Sequence, residues 1–298
     1  MSYVQEMFGL SDVRAVVTGG AGVLPKGMAL TLARAGASVS IWGRGSSHPV
    51  QDAVDEVQEA LAQTNAGAPA AGSGASAEAG SAAGSSSRDP VIAGETVDTN
   101  NEDAVQRALE STVATMGMPN LLVNGVGGNK GKSDFVDIDT KLFSEVLEMN
   151  LLAGLIIPTK VFTRRWIAQE VKGSIINIAS MTSYVPLSGV WAYTAAKSAV
   201  LKLTEGAANE FAPHGIRVNA VAPGFFIGHQ NRMLLIANDE TGELTARGQA
   251  IIDRTPFGRF GVPEDLDGTT LFLASPRASG FLTGVCIPVD GGYLVDNI

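Results

Sequence analysis

The chain has 298 residues, of which 45% are hydrophobic and 17% charged, enough to build the core of one large α/β domain or of two small ones. The net charge of −9, from 30 acidic and 21 basic side chains, argues against a surface that binds nucleic acid. The N-terminus lacks the layout of a signal peptide, and no apolar run reaches the roughly eighteen residues of a membrane span, so we expect a soluble cytoplasmic protein. Cys286 is the only cysteine, which excludes an intrachain disulfide, and no ligand pattern predicts a metal site.

Strands and helices alternate along the sequence. Apolar runs predict seven strands, at residues 12–18, 38–42, 91–97, 121–123, 174–179, 217–221 and 285–289. Helical spacing of apolar residues fills the intervals, most clearly at residues 103–116, 141–169, 191–211 and 263–274. This order predicts an α/β fold: a single Rossmann-type, doubly wound parallel sheet of seven strands with helices on both faces.

One segment breaks the alternation. Between residues 66 and 87 every residue except Glu78 is Ala, Gly, Ser or Pro. Such a segment buries too little side chain to offset the entropy lost on ordering it, so we predict a flexible surface insertion at about residues 65–88. A functional lid is the alternative. Because the alternation resumes afterwards, we interpret residues 1–298 as a single dinucleotide-binding and catalytic domain.

A glycine-rich turn follows the first predicted strand. Gly19, Gly20 and Gly22 come directly after Thr18, and a helical pattern then begins. Glycines let the backbone approach a pyrophosphate closely, and the free amides of a helix N-terminus favour its negative charge. The position in an alternating chain therefore favours dinucleotide binding over a plain tight turn.

The end of the second strand indicates which dinucleotide binds. An NAD site usually has an acidic residue about twenty residues beyond the glycines, where it accepts from the ribose 2′-hydroxyl. No acidic residue occurs between positions 13 and 51, and Arg44 follows the strand instead. Since an Arg can pair with a 2′-phosphate through two hydrogen bonds, the sequence favours NADP over NAD. In the alternative, Arg44 stacks on the adenine and NAD binds without an acidic partner.

Tyr193 and Lys197 are spaced for proton chemistry. Four residues apart on a predicted helix, the two side chains share one face. A nearby ammonium favours the phenolate and so lowers the pKa of the phenol, which is otherwise near 10. Most such pairs are solvated helix surface, but Ser180 stands thirteen residues upstream at the end of a predicted strand. The three residues together predict a catalytic group.

Several features occur in one order along the chain: the glycine turn, Asn124, Asn150, Ser180, Tyr193, Lys197 and Pro223-Gly224. Together they resemble the classical short-chain dehydrogenase/reductase family, over the whole chain except the insertion. The resemblance implies that Tyr193 is the general acid/base, and that Lys197 lowers its pKa and holds the nicotinamide ribose. It also implies that Ser180 hydrogen-bonds the substrate oxygen, and that Asn150 holds a water linking Lys197 to solvent.

The same resemblance implies a cofactor site. Asp98 matches a residue that touches the adenine, residues 124–127 match a segment that supports the pocket, and residues 223–226 match the loop that meets the carboxamide. The full set is Thr18, Gly19, Gly20, Gly22, Val23, Leu24, Arg44, Asp98, Thr99, Asn124, Val126, Gly127, Tyr193, Lys197, Pro223, Gly224 and Phe226.

The chain departs from the family pattern at several positions of this site. Val23 and Pro25 stand where relatives have glycines, and Gly22 comes one place early. Gly125 and Val126 replace an Asn and an Ala, and Gly228 replaces a threonine common near the carboxamide. Pro25 is tolerable in a first helical turn, although we expect it to remove one phosphate contact.

A narrower resemblance concerns the substrate. Residues 124–129, 150–152, 223–226 and 230–235 resemble the D-mannonate oxidoreductase, or fructuronate reductase, branch. A sugar acid needs a cation for its carboxylate and amides for its hydroxyls, and the segments offer Asn129, Gln230, Asn231 and Arg232. We expect Arg232 to bind the carboxylate; Lys130 or Lys132 could replace it. A solvated helix start is the alternative interpretation of residues 230–232, and an exposed loop position is expected for His229.

The resulting hypothesis is an NAD(P)-dependent oxidoreductase that acts on a small-molecule keto or hydroxy sugar acid of the D-fructuronate/D-mannonate type. A gluconate or polyol dehydrogenase and a 3-oxoacyl thioester reductase are the alternatives within the class, although the acidic chain disfavours an acidic acyl-carrier partner. The hypothesis from another class is a non-catalytic dinucleotide-binding regulator. The C-terminal segment resembles one that lies near subunit contacts in relatives, which implies a homotetramer or homodimer.

Overall fold

The computed structural model describes residues 2–46, 48–66, 89–187, 189–228 and 232–296. Most of the predicted insertion, and with it the choice between a flexible segment and a lid, lies outside the described residues. His229, Gln230 and Asn231 lie outside them as well.

The described residues form the following elements. The strands are β1 (Arg14–Thr18), β2 (Ser38–Gly43), β3 (Ile92–Thr96), β4 (Leu121–Asn124), β5 (Ser174–Ile178), β6 (Arg217–Pro223), β7 (Ile236–Asn238), β8 (Glu243–Leu244) and β9 (Cys286–Val289). The α-helices are α1 (Tyr3–Phe8), α2 (Val23–Arg34), α3 (Val50–Ala66), α4 (Glu102–Met116), α5 (Thr140–Leu147), α6 (Ile157–Ala168), α7 (Trp191–Phe211), α8 (Arg232–Leu235), α9 (Ala246–Ile252), α10 (Asp267–Ala274) and α11 (Pro276–Ser279).

The predicted sheet is confirmed. Seven parallel strands pair in the order β3-β2-β1-β4-β5-β6-β9. The chain reverses direction across the sheet between β1 and β4, and the carboxyl ends of neighbouring strands open a crevice at such a point. Thr18 and Asn124, the last residues of these two strands, lie opposite each other in the register.

Consecutive residues of β1 pack on opposite sides of the sheet, as the pleat requires. Val16 belongs to a core that includes residues of α4 and α6. Val17 belongs to a second core that includes residues of α2, α3 and α10. Apolar runs without strict alternation are typical of strands buried on both faces, which explains why the sequence predicted these strands well.

The antiparallel pair β7 and β8 was not predicted. Ile236–Asn238 has three residues, Glu243–Leu244 has two, and most of their side chains are exposed. Strands this short and this exposed leave no periodic apolar pattern in the sequence. The helix predicted at residues 263–274 also differs, since its first turn, Pro263–Leu266, is a 3-10 helix before α10 begins.

The helix predicted at residues 141–169 is interrupted by a π-helical segment. α5 runs into Glu148–Ile156, where the helix widens, and α6 continues from there. The prediction of one regular helix was wrong at this point because the sequence remains apolar and helical throughout. π-helical turns occur frequently at functional sites.

This stretch is also the longest apolar helical region among the described residues that passes a length and composition test for a membrane span. Thr140–Ala168 has 29 residues and contains a window of mean hydropathy 1.4, which by length and composition alone is enough to cross a membrane. However, 56% of that window is buried inside the fold. Its apolar character serves packing, because the helix lies against α4 and α7.

Candidate active site

The glycine turn after β1 leaves no room for side chains. Gly19 has a φ of +65°, and a Cβ there would lie 2.8 Å from the carbonyl oxygen of Gly125. A Cβ at Gly20 would lie 2.7 Å from Cγ2 of Ile41. These contacts require glycine at both positions, and a turn without side chains is what close approach of a pyrophosphate to the backbone requires.

The helix that follows completes the cradle. Gly22 precedes α2 in an extended conformation, and the first turn of α2 carries no acidic side chain. The first amides of a helix have no partners within it and favour an anion. Val23 and Leu24 supply two of these amides, whereas Pro25 supplies none. The residues present thus fit the pyrophosphate of a dinucleotide, although the helix offers it one backbone N–H fewer than it would without Pro25.

Two departures from the family pattern are in contact with each other. A Cβ at Gly125 would lie 2.7 Å from Cγ of Pro25 and would also collide with the carbonyl oxygen of Thr18. The proline ring therefore occupies the space that a side chain at position 125 would need. The proline on α2 and the glycine after β4 therefore depend on each other for packing.

Thr18 and Asn124 act within the fold at the end of the strands. The Thr18 hydroxyl donates to the Val123 carbonyl at 3.3 Å and accepts from the Gly125 amide at 3.1 Å. The Asn124 amide donates to Thr159 at 3.0 Å and to the Asn177 side chain at 2.9 Å. Both side chains are buried, so they hold β1, β4 and β5 together beneath the crevice.

The residues expected around the adenosine lie at the ends of β2 and β3. Arg44 is exposed directly after β2, and Asp98 is exposed beyond β3. The Asp98 carboxylate accepts from the amide of Asn100 at 3.1 Å, and Thr99 is buried. Both Arg44 and Asp98 are placed at the carboxyl edge of the sheet, where a nucleotide lies in folds of this type.

The predicted catalytic residues meet at the carboxyl end of β5. Tyr193 and Lys197 lie on α7, and the Lys197 Nζ is 5.7 Å from the centroid of the Tyr193 ring. The ammonium donates to the carbonyl of Ile178, the last residue of β5, at 2.7 Å. Ser180 follows two residues later, and its hydroxyl accepts from the Thr182 amide at 3.2 Å.

The two titratable groups of this cluster are shifted by burial. Burial raises the pKa of Tyr193, and a hydrogen bond with Ser180 acts in the opposite direction. Burial also lowers the pKa of Lys197 to about 8. The expectation that Lys197 lowers the pKa of Tyr193 stays a prediction, since the largest influence on that pKa in this structure is burial, which raises it.

The π-helical segment places Asn150 beside the lysine. Its amide donates to the carbonyls of Gly128 and Val146, both at 2.8 Å, and its Oδ1 accepts from the Gly128 amide at 3.1 Å. A Cβ at Gly127 would lie 2.7 Å from Asn150 Oδ1 and 3.1 Å from Lys197 Nζ. Gly127 is thus packed against both polar groups, a role that the sequence did not reveal.

The loop after β6 borders the same crevice. Gly224 donates to the Val289 carbonyl at 2.9 Å, and a Cβ there would lie 2.7 Å from Cα of Asp290. Phe226 is buried and forms a β-bridge with Gly261. The start of this predicted carboxamide loop, from Pro223, is therefore fixed against β9.

The expected substrate residues are only partly brought together. The Asn129 amide donates to the Gly131 carbonyl at 2.8 Å, and Asn129 lines a cavity of about 210 Å³ in front of α7. Arg232 lies on α8, where its Nε is 2.9 Å from a carboxylate oxygen of Asp239. Arg232, which was expected to bind the substrate carboxylate, is thus already paired with the carboxylate of Asp239.

The residues that fix the cavity were not predicted from the sequence. Trp191, the first residue of α7, donates from its indole nitrogen to the Ser133 carbonyl at 3.0 Å and stacks edge-on against Phe135 at 5.3 Å. No spacing rule joins positions 133 and 191. The sequence signal was limited to the presence of aromatic residues at positions 135 and 191.

Comparison with known proteins decides the family. Residues 60–294 match a family model described as Enoyl-(Acyl carrier protein) reductase. The uncharacterized oxidoreductase UxuB of Bacillus subtilis is 37% identical over 300 residues, which cover 96% of each chain. The chain is a short-chain dehydrogenase/reductase. This confirms the resemblance, and it makes the protein an NAD(P)-dependent oxidoreductase that interconverts a hydroxyl and a carbonyl group.

Solved structures agree with the fold of this dehydrogenase. A putative D-mannonate oxidoreductase from Haemophilus influenzae, with bound NAD, superimposes with a TM-score of 0.80 at 28% identity and covers 99% of both chains. A putative NAD(P)-dependent gluconate 5-dehydrogenase from Beutenbergia cavernae, with bound NADP, gives a TM-score of 0.76 at 31% identity, covering 97% of this chain and 99% of that one.

Gly127 offers a test of the catalytic geometry. We predict that Gly127→Ala lowers kcat at least about 100-fold, because the new methyl group displaces Asn150 Oδ1 and Lys197 Nζ, and small misplacements cost this much. Turnover and the far-UV circular dichroism spectrum of the dehydrogenase measure the effect.

Gly206→Ala is the matched control. Gly206 lies on α7, and nothing lies within 4 Å of a Cβ added there, so we expect unchanged kcat and a slight gain in stability. A Gly127→Ala enzyme with normal kcat would contradict the geometry.

Proposed function

We propose that this dehydrogenase transfers a hydride between NADP and a keto or hydroxy sugar acid of the D-fructuronate/D-mannonate type. The observation that carries the proposal is the cluster of Ser180, Tyr193 and Lys197 beside a cavity lined by Asn129 and two lysines. A proton-transfer group next to a polar cavity with cationic side chains suits a carbonyl substrate that carries a carboxylate and hydroxyls.

The protein's own residues handle the proton. In the reductive direction Tyr193 donates its phenolic proton to the carbonyl oxygen of the substrate, and Ser180 donates a hydrogen bond to the same oxygen as negative charge develops. Lys197 stabilises the phenolate that remains. Asn150, hydrogen-bonded to Gly128 on both its amide and its carbonyl side, keeps the segment next to Lys197 in place and supports a water path to solvent.

The dinucleotide supplies or accepts the hydride when it is bound. The cradle of Gly19, Gly20 and Gly22 would hold its pyrophosphate, and Lys197 would hold the nicotinamide ribose. The exposed guanidinium of Arg44, without an acidic residue near it in sequence, supports NADP over NAD. The solved relatives contain NAD in one case and NADP in the other, so the cofactor class has support from both.

Two substrate classes remain in competition. The names of the solved relatives, a putative D-mannonate oxidoreductase and a putative gluconate 5-dehydrogenase, support a sugar acid in both cases. The second favours the gluconate type as the alternative. The description of the family model names an acyl-carrier-protein reductase, yet the net charge of −9 disfavours docking of an acidic carrier. A homotetramer or homodimer and a cytoplasmic location stay predictions from the sequence.

The function is tested with a substrate panel. We expect turnover of a hexuronate or aldonate, and of the matching keto acid in reverse, with kcat/KM at least about tenfold above that for neutral ketoses and acyl thioesters. Absorbance at 340 nm measures the rate with NADH and NADPH in parallel.

Tyr193→Phe is the matched control for this panel, because it removes only the phenolic oxygen. We expect its turnover to fall about 1,000-fold or more. Full turnover by Tyr193→Phe would instead favour the regulator hypothesis, and a preference for a thioester would overturn the sugar-acid substrate.

The pH profile follows from the shifted groups. Tyr193, with its pKa raised by burial, keeps its proton at neutral pH, so we expect kcat/KM for reduction to be flat in the acidic to neutral range and to be halved near the pKa of Lys197, about 8. Above that value Lys197 loses its charge and the rate falls. Oxidation requires the phenolate, and its rate therefore rises with pH from neutrality.

Lys197→Arg distinguishes the source of the fall above pH 8, because a guanidinium keeps its charge. Its lower residual activity is expected to hold a plateau to higher pH. An unchanged fall in this variant would assign the titration to another group.

Arg44 tests the cofactor preference. Arg44→Ala should raise the KM for NADPH about tenfold or more, because the 2′-phosphate loses a charge-assisted pair, and leave the KM for NADH within about threefold. Initial rates with each cofactor measure both constants.

Arg34→Ala serves as the control, since Arg34 is at the far end of α2 and donates to Thr64. Equal losses with both cofactors at Arg44→Ala would indicate stacking on the adenine. Turnover of the parent enzyme only with NADH would refute the NADP assignment.

A further inference from the structure

We propose that Lys132, rather than Arg232, binds the carboxylate of the substrate. The proposal rests on the proposed function, because it assumes that the substrate is a sugar acid. It assigns specificity to a residue on the loop after β4 and not to the segment after β6 where the sequence placed it.

The charge partners of the three candidate cations separate them. Arg232 is 2.9 Å from Asp239, and Lys130 is 3.3 Å from Glu145. Lys132 makes no ion pair or hydrogen bond with any residue in the described part of the chain. A substrate carboxylate would compete with a protein carboxylate at either of the first two cations, both of which are about half exposed, but not at Lys132.

The stem of Lys132 is fixed although its ammonium has no partner. A Cβ at Gly189, which has a φ of +82°, would lie 2.6 Å from both Cγ and Cε of Lys132, so the side chain lies flat against the glycine backbone. The loop is anchored there, since the Ser133 amide donates to the Gly189 carbonyl at 3.2 Å. Packing of the methylene groups lowers the entropy lost when a ligand binds the ammonium.

The cavity beside Lys132 connects it to the catalytic residues. Its volume is about 210 Å³, and its lining includes Asn129, Lys132, Trp191 and Ala192. Ala192 directly precedes Tyr193 on α7, and Asn129 directly follows Gly128, the partner of Asn150. A ligand in this cavity therefore contacts Lys132 and residues next in sequence to Tyr193 and to the partner of Asn150.

The cavity also contains carboxylates. Asp137 and Asp139 line it, but one oxygen of Asp139 accepts from the amides of Lys141 and Leu142 at 2.9 and 3.1 Å as the N-cap of α5. Carboxylates accept hydrogen bonds from hydroxyls. A lining with one unpaired ammonium and neighbouring acceptors suits a polyhydroxy acid better than a fatty or aromatic acid.

Lys132→Met tests the assignment, because methionine keeps the stem that packs on Gly189 and removes the charge. With 5-keto-D-gluconate as the acidic probe and D-fructose as the neutral one, we expect kcat/KM for the acid to fall about 10- to 100-fold, the range for a charge-assisted hydrogen bond. The loss should appear in KM, with kcat and the rate for D-fructose changed less than about threefold. Lys132→Arg should restore most of the acid rate.

Two further variants complete the design. Lys141→Met removes an exposed lysine of the adjoining helix that is not part of the cavity, and both rates should stay unchanged. Arg232→Met tests the alternative, in which Arg232 binds the substrate carboxylate. Selective loss of the acid rate in Arg232→Met, with none in Lys132→Met, overturns the proposal and leaves the proposed function intact. If the parent enzyme itself prefers neutral substrates, both the proposed function and the role of Lys132 are overturned.

Discussion

The buried ammonium of Lys197 is the constraint around which the crevice is built. Only 4% of this residue is exposed, and the carbonyl of Ile178 is its hydrogen-bond acceptor among the described residues. Burying a charge costs free energy, which lowers the pKa of the lysine toward neutrality. A fold tolerates this cost where the charge does chemical work, and the surrounding residues are arranged accordingly.

Glycine positions and the π-helical segment keep that charge in place. Gly127 lets Lys197 Nζ and Asn150 Oδ1 share one face of the backbone, and Asn150 holds the Gly128 peptide from both sides. The widened helix is packed closely as well, because a Cβ at Gly154 would collide with the Val126 carbonyl oxygen. The cofactor crevice and the proton-transfer site are therefore supported by the same short segment after β4.

Much of the fold followed from the sequence, because strands buried on both faces and amphipathic helices leave local patterns. The spacing of Ser180, Tyr193 and Lys197 also allowed a catalytic group to be predicted. The direction of the Tyr193 pKa, the inward orientation of Asn124 and the ion pair of Arg232 with Asp239 were not, since each depends on residues far away in the chain or on burial. The π-helical segment left no signal because its apolar residues continue the pattern of the flanking helices.

The contact between Pro25 and Gly125 restricts how this enzyme could have diverged from its relatives. The family pattern has a glycine at position 25 and an asparagine at position 125, whereas this chain has Pro25 and Gly125. In each case the larger side chain stands opposite a glycine. A proline at 25 is compatible only with a glycine at 125, where the carbonyl of Thr18 also leaves no room for a side chain. The two positions are therefore epistatic: a side chain introduced at 125 requires both a smaller residue at 25 and a shift of the Thr18 carbonyl, so a change at either position depends on the residue at the other.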